Sequence, residues 1–261
     1  MRSSIILASV LGALTVLAAP TSPSLNLNSA LPGQAETVTE YFNMLAQKVQ
    51  EGRSMAVAPV CDLSKAKMAI APTPLPVPAE GLKLKHVAIG RGTQNYTCDV
   101  TNATAVPAQT GAVATLFNAS CVAATYPDLL NMLPKLAMSF NLTEVEQKMG
   151  PSNLAISGQH FFTNTTTPFF NLDTTRATLG EAGCTKANAT SAPANAPKGQ
   201  LGEPAVPWLK LVTHVGATGN LQEVYRIETA GGSAPATCKG MPATFEVQYS
   251  AQYWFFEGTA A

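Results

Sequence analysis

The sequence predicts a mainly β protein: an antiparallel β-sandwich or barrel-like domain with an N-terminal helical segment packed against it. Three observations carry this. From residue 82 onward, apolar and polar residues alternate with a period of two in several separate stretches, as in strands of an antiparallel sheet. Glycine-containing turns divide neighbouring stretches, as hairpins require. By contrast, residues 36–50 give the clearest apolar repeat at helical spacing.

In chain order, the opening MRSSIILASVLGALTVLAAPTS places Arg2 before an apolar run over residues 5–17, followed by Ala18 and Ala19. This is the layout of a secretory signal peptide. Cleavage is expected after Ala18, because Val16 and Ala18 suit the positions before the cut and Pro20 disfavours a cut after Ala19. The run falls short of the roughly 20 apolar residues that span a bilayer. The C-terminal SAQYWFFEGTAA lacks the apolar tail of a glycosylphosphatidylinositol signal. The expected organisation is a signal peptide (1–18), a helical segment with a Pro-rich connector (19–79) and a β domain (80–261). Nothing in that plan would hold the chain in a membrane after cleavage.

In residues 36–50, Val38, Tyr41, Phe42, Leu45 and Val49 form one stripe, bounded by Pro32, Gly33 and Gly52. The stripe is expected to dock on the protein's own core. The connector APTPLPVPAEG (71–81) has four prolines, which favour extended geometry and exclude a helix. LKLKHVAI and TQNYTCDV then alternate as two strands, with Gly90, Arg91 and Gly92 read as the turn between them. In the second, Tyr96, Cys98 and Val100 share one face and Asn95, Thr97 and Asp99 the other.

Further strands are expected at 111–119, 208–215 and 220–229, the last two as a pair. In TFEVQYSAQYWFF, Phe245, Val247, Tyr249, Ala251, Tyr253 and Phe255 alternate with Thr244, Glu246, Gln248, Ser250 and Gln252, as in a half-buried strand. PDLLNMLPK predicts a brief helical turn before Pro134. Thr143 to Glu146 fits a capping box. GQHFFTNTTTPFFNLD reads as a hairpin, and residues 184–204, rich in Ala, Pro, Asn and Gly, as an irregular loop.

Charged residues make up 12% of the chain with zero net charge and no basic stripe, which excludes a phosphate-tracking nucleic-acid binder. Six N-x-[ST] sequons, at Asn95, Asn102, Asn118, Asn141, Asn164 and Asn188, point to N-glycosylation on an export route. Five cysteines are present, an odd number that implies two bridges and one leftover thiol in an oxidising compartment. Spacing alone does not choose among the pairings. We expect Cys98–Cys238, tying an early strand to the last turn, and Cys61–Cys121, tethering the N-terminal segment, with Cys184 free in a loop-like context.

Motifs for chemistry are sparse. G-x-G-x-x-G fails because position 95 is Asn, and neither a P-loop nor G-x-S-x-G occurs. His86, His160 and His214 are widely spaced, and no C-x-x-C or H-x-H exists, so neither a metal nor a cofactor is expected. No pair among the carboxylates stands out for glycosidase chemistry. Trp208 and Trp254 would stack on a sugar if exposed, but the neighbouring Phe255 and Phe256 favour burial on both faces.

The series GRGTQNYTC, GAVATLFNASC, VPWLKL, VYRIETAGGSAPATC and FEVQYSAQYWFF resembles, in order, an uncharacterised secreted family, domain of unknown function 3455, frequent in filamentous fungi. GQHFF and FFNLD resemble its less regular middle section. The resemblance implies a β-rich fold and secretion but no activity. Some members carry a malate dehydrogenase label; without a nucleotide fingerprint, dehydrogenase activity is not expected here. The expected function is that of a secreted glycoprotein without an assigned biochemical activity, a binding or structural protein of the cell surface, wall or extracellular space, with a wall polysaccharide or a small apolar ligand as partner. The alternatives are a barrel carrying a small apolar ligand, and a hydrolase with an unrecognised site.

Overall fold

The computed structural model describes residues 31–55, 60–140, 142, 148–149 and 152–259. The expected signal peptide, the capping box at 143–146 and the Asn141 sequon lie outside them. The protein is mainly β, and eight strands close into an antiparallel barrel. They are β1 (Lys83–Thr97), β2 (Ala108–Asn118), β4 (Leu154–Phe162), β5 (Pro168–Asp173), β6 (Thr178–Thr190), β7 (Trp208–Thr213), β8 (Leu221–Gly231) and β9 (Thr244–Glu257), with the two-residue β3 (Lys148–Met149) appended to β4. The order is β2-β1-β9-β8-β7-β6-β5-β4, and a β2–β4 pairing completes the ring. Between the two architectures open to the sequence, the barrel is the one formed. Register shifts within β1, β8 and other pairs bend the strands, because a bulge locally increases twist. One of them, between Ile227 and Ala230, holds Glu228 at φ 47°.

The Gly90-Arg91-Gly92 stretch is not a turn. It lies in the middle of β1, which pairs with β2 and β9 throughout this stretch. The glycines answer to packing: a Cβ on Gly90 would stand 2.5 Å from a ring carbon of Tyr253, and one on Gly92 1.8 Å from the Val113 carbonyl oxygen. The turn reading failed because strand glycines mark close approach as well as reversal.

Two apolar clusters lie on the two faces of the wall. Ala88, Leu116, Phe170, Leu172, Ala182, Leu211, Val224, Tyr249, Tyr253 and Phe255 line the lumen. Val87, Ile89, Trp208, Tyr225, Ile227, Trp254 and Phe256 face outward beneath the helices. Over this outer face lie α1 (Ala35–Ser54), α2 (Ser120–Thr125) and α3 (Pro127–Met138). Helix α1 buries Val38 and Tyr41 but leaves Val49 48% exposed, so the expected stripe docks only through its first turns. It also runs through Gly52 to Ser54. Lys48 of α1 reaches Asp128 of α3 at 2.8 Å. Among the described residues no helix is long and apolar enough to cross a membrane.

Helix α3 replaces the brief turn expected before Pro134: it runs through that proline. Proline removes one backbone N–H and leaves the carbonyl four residues earlier without its helical donor. That carbonyl belongs to Leu130, and the Gln252 amide of β9 donates to it at 3.4 Å and to Asn131 Oδ1 at 3.1 Å. The far end of α3 is capped from below. Arg91 Nε donates to Ala137 O at 3.0 Å and Nη2 to Phe140 O at 3.3 Å. A cation there also meets the negative end of the helix dipole.

Because α3 covers β9, that strand is not half-buried along its length. Ser250, Gln252 and Trp254 are as deeply buried as Tyr249 and Tyr253. Residues 184–190, expected as the start of a loop, are the second half of β6 and pair with β7. The Pro-rich connector runs along the outer wall, as expected for an extended segment. Lys210 Nζ donates to Val77 O at 2.8 Å and the Tyr225 hydroxyl to Pro76 O at 2.8 Å. Cys61–Cys121 joins the N-terminal segment to α2, and Cys98–Cys238 joins the loops that follow β1 and β8 at one end of the barrel.

Candidate functional site

A buried charge is expensive unless paired. Histidines apart, the buried charged side chains among the described residues are Arg91, Lys210, Glu223 and Arg226. Lys210 and Glu223 neutralise each other at 2.9 Å. Arg91 is taken up by the end of α3. Arg226 is left: it is 6% exposed and forms no ion pair among the described residues.

Its position follows from strand parity. Val224 faces the lumen while Tyr225 and Ile227 face the helices, so Arg226 points inward. Nη2 donates to Pro207 O at 3.0 Å and Nη1 to Gln94 Oε1 at 3.4 Å, whereas the buried Nε has no partner. Gln94 lies on the lumenal side of β1, fully buried. Its Oε1 also accepts from Gln109 Nε2, and its own Nε2 has no partner. Exchanging the amide's O and N would set its NH2 against Arg226 Nη1, a group that can only donate, so the arginine fixes the assignment. The Tyr253 hydroxyl beside Arg226 and the Tyr249 hydroxyl beside Gln94 are neutral and bonded to each other. Two buried donors, one of them charged, thus share one end of the lumen without a well-aligned acceptor among the described residues. A native interior rarely tolerates that unless something completes it.

The neighbours are neutral. The Tyr249 and Tyr253 hydroxyls bond each other at 2.8 Å, and burial holds both phenols above their ordinary range. His160 stacks on Phe170 at 4.3 Å and donates from Nδ1 to Phe169 O at 2.9 Å. Burial chiefly, with Arg226 adding, pushes its pKa down to about 4. The Cys184 thiol, also lumenal and fully buried, is pushed up to about 12 by burial. Around these groups the wall is small or apolar: Ala112, Ala251, Val206 and Leu211.

The residues singled out in the sequence fall elsewhere. His86 is buried with Nδ1 2.9 Å from Ser120 Oγ and Nε2 2.9 Å from Ser157 Oγ, its pKa pushed down to about 4 by burial. Ser120 Oγ further accepts from Val87 N–H at 3.1 Å. Both ring nitrogens are satisfied, so this is a core histidine. His214 is exposed beside Thr185, so the three histidines do not converge. Among the described residues no group of three or more His, Cys, Asp or Glu could hold a metal. Trp208 and Trp254 are buried on the outer wall, at 2% and 1% exposure. Cys184 is free, in a strand and not in the loop-like context expected.

Of the sequons, Asn102, Asn118, Asn164 and Asn188 are exposed and Asn95 is half-buried. Asn95 borders a depression of about 310 Å³ lined also by Tyr96, Thr110, Thr244, Phe245 and Glu246. That depression has no cation or unpartnered buried donor in its lining, so the lumen is the better candidate. Arg226 and Gln94 were not foreseen. The signal for Gln94 lay in parity, since it shares the face of Tyr96 and Cys98. Arg226 sits beside apolar Tyr225 and Ile227 on a strand whose second face would be read as solvent-facing in an open sheet.

The fold and site define a closed antiparallel barrel protein with an uncompensated cation inside it. The chain belongs to the family described as Protein of unknown function (DUF3455), whose model matches residues 78–257, which include every strand of the barrel. No curated protein and no solved structure is detectably similar to it. Its two disulfides are of the kind that persist in an oxidising, extracellular-type environment.

Proposed function

We propose that this protein is an exported, N-glycosylated binding protein that holds a small molecule inside its barrel. The observation that carries the reading is the Arg226 guanidinium, buried in the lumen with neither a counter-charge nor a partner for Nε among the described residues. Small-molecule sites join an apolar wall to a few polar groups, and here Arg226 and Gln94 stand beside an apolar wall. Export rests on the opening segment, the sequons and the two disulfides.

The wall-polysaccharide reading loses its main support, because both tryptophans that would stack on sugar are buried in the outer cluster. The hydrolase reading fares no better. His86 has serine hydroxyls on both nitrogens and no carboxylate to orient it, unlike a working triad. The test is native mass spectrometry of the protein collected from culture medium without denaturation. A discrete mass excess that leaves as a small molecule on activation supports the reading. An empty protein that also takes up nothing from a library of small metabolites refutes it. Solubilised fragments after incubation with wall polysaccharide would establish an enzyme instead.

A further inference from the structure

We infer that the ligand is a small organic acid bearing a single carboxylate, held by the Arg226 guanidinium and the Gln94 amide. This rests on the small-molecule reading above and names the chemical class that the site takes.

The geometry supplies the donors. Arg226 Nε and Gln94 Nε2 are both buried and unpartnered, and they belong to side chains already linked through Gln94 Oε1 at 3.4 Å. A carboxylate presents two oxygens with several lone pairs, enough to accept from both of these donors. A neutral carbonyl would satisfy the hydrogen bonds but leave the cation uncompensated, and water has the same defect.

The charge of the site fixes the charge of the ligand. His160, Tyr249, Tyr253 and Cys184 are all held neutral near pH 7 by burial. Among the described residues Arg226 is therefore the one buried charge in this part of the lumen, the nearby Glu228 being only half-buried and forming no ion pair with it, and one negative charge balances it. A phosphate monoester or a dicarboxylate would bring in a second negative charge with no partner. Arg226 also bonds Pro207 O, and the segment before β7 closes this end of the barrel through Val206 N to Gly231 O at 2.9 Å and Ser233 N to Pro204 O at 3.0 Å. Entry is expected from this end, where the covering segment is not part of the wall.

The experiment is calorimetric titration of the full secreted protein at pH 7 with acetate, hexanoate and benzoate, and with acetamide, hexanamide and benzamide. At least one acid should bind, its amide at least tenfold more weakly. Arg226→Gln should lower the acid's affinity by about a hundredfold. A second variant guards against misfolding of the first. Gln94→Glu builds a carboxylate beside the guanidinium, so it should raise the melting temperature of the empty protein and abolish acid binding. Amides binding as tightly as acids, or Arg226→Gln and Gln94→Glu chains that bind acids like wild type, would overturn the carboxylate assignment while leaving small-molecule binding intact. A carried neutral molecule, with no acid bound, would do the same. No titrant bound and nothing carried in the native protein would overturn both readings.

Discussion

Replacing His160 by phenylalanine should make the protein less stable at neutral pH and more stable in acid. The imidazole lies inside the barrel against Phe170, with its pKa pushed from an ordinary 6.5 down to about 4, chiefly by burial. In the folded chain it stays neutral to about pH 4, while in the unfolded chain it takes a proton near 6.5. The unfolded state thus binds more protons in that window. The stabilisation is fully present above pH 6.5 and is lost as the pH falls toward 4. At about 1.4 kcal/mol per pH unit, the loss is roughly 3 kcal/mol. Phenylalanine keeps the stacked ring and removes the titration, but it also removes the bond to Phe169 O, worth about 1 kcal/mol. The two stability curves should therefore cross at about pH 6. Urea unfolding of both chains between pH 7.5 and 4.5 measures this, and carboxylates common to both cancel in the difference. Parallel curves, with His160→Phe below wild type throughout, would refute the buried neutral imidazole.

Two further predictions concern β1. Arg91→Met should destabilise by about 2–3 kcal/mol in chemical unfolding, because the Ala137 and Phe140 carbonyls at the end of α3 lose a charged donor. Gly90→Ala should cost about 1–3 kcal/mol, since the Tyr253 ring has to yield. Gly92→Ala should be distinctly worse by the same assay, because its new methyl meets the backbone of Val113 and not a movable side chain.

Where a face of the sequence had one job, the fold was legible. In β9 the apolar residues Tyr249, Ala251, Tyr253 and Phe255 do line the lumen. The polar set was harder to read, because Ser250 and Gln252 serve the buried interface with α3: Ser250 donates to Gly90 O at 2.8 Å and Gln252 to Leu130 O. Polarity signals water only when no helix covers the strand. The same blindness hid α3, whose proline is tolerated by virtue of a glutamine 118 positions away in the chain. It also hid the second half of β6, where Lys186 and Asn188 are exposed on a bare part of the wall. The candidate site was hardest of all. Arg226 becomes notable only once the barrel closes around it, and closure depends on a β2–β4 pairing that no local pattern announces.

Cys184 gives the barrel a built-in clock. Its thiol is sealed inside the wall and its pKa is pushed up to about 12, so in the closed protein it is neither reachable nor ionised for attack. Disulfide shuffling through this fifth cysteine is therefore confined to the time before closure. Afterwards, the rate at which it takes up an alkylating reagent reports how often the barrel opens, with no label added to the protein.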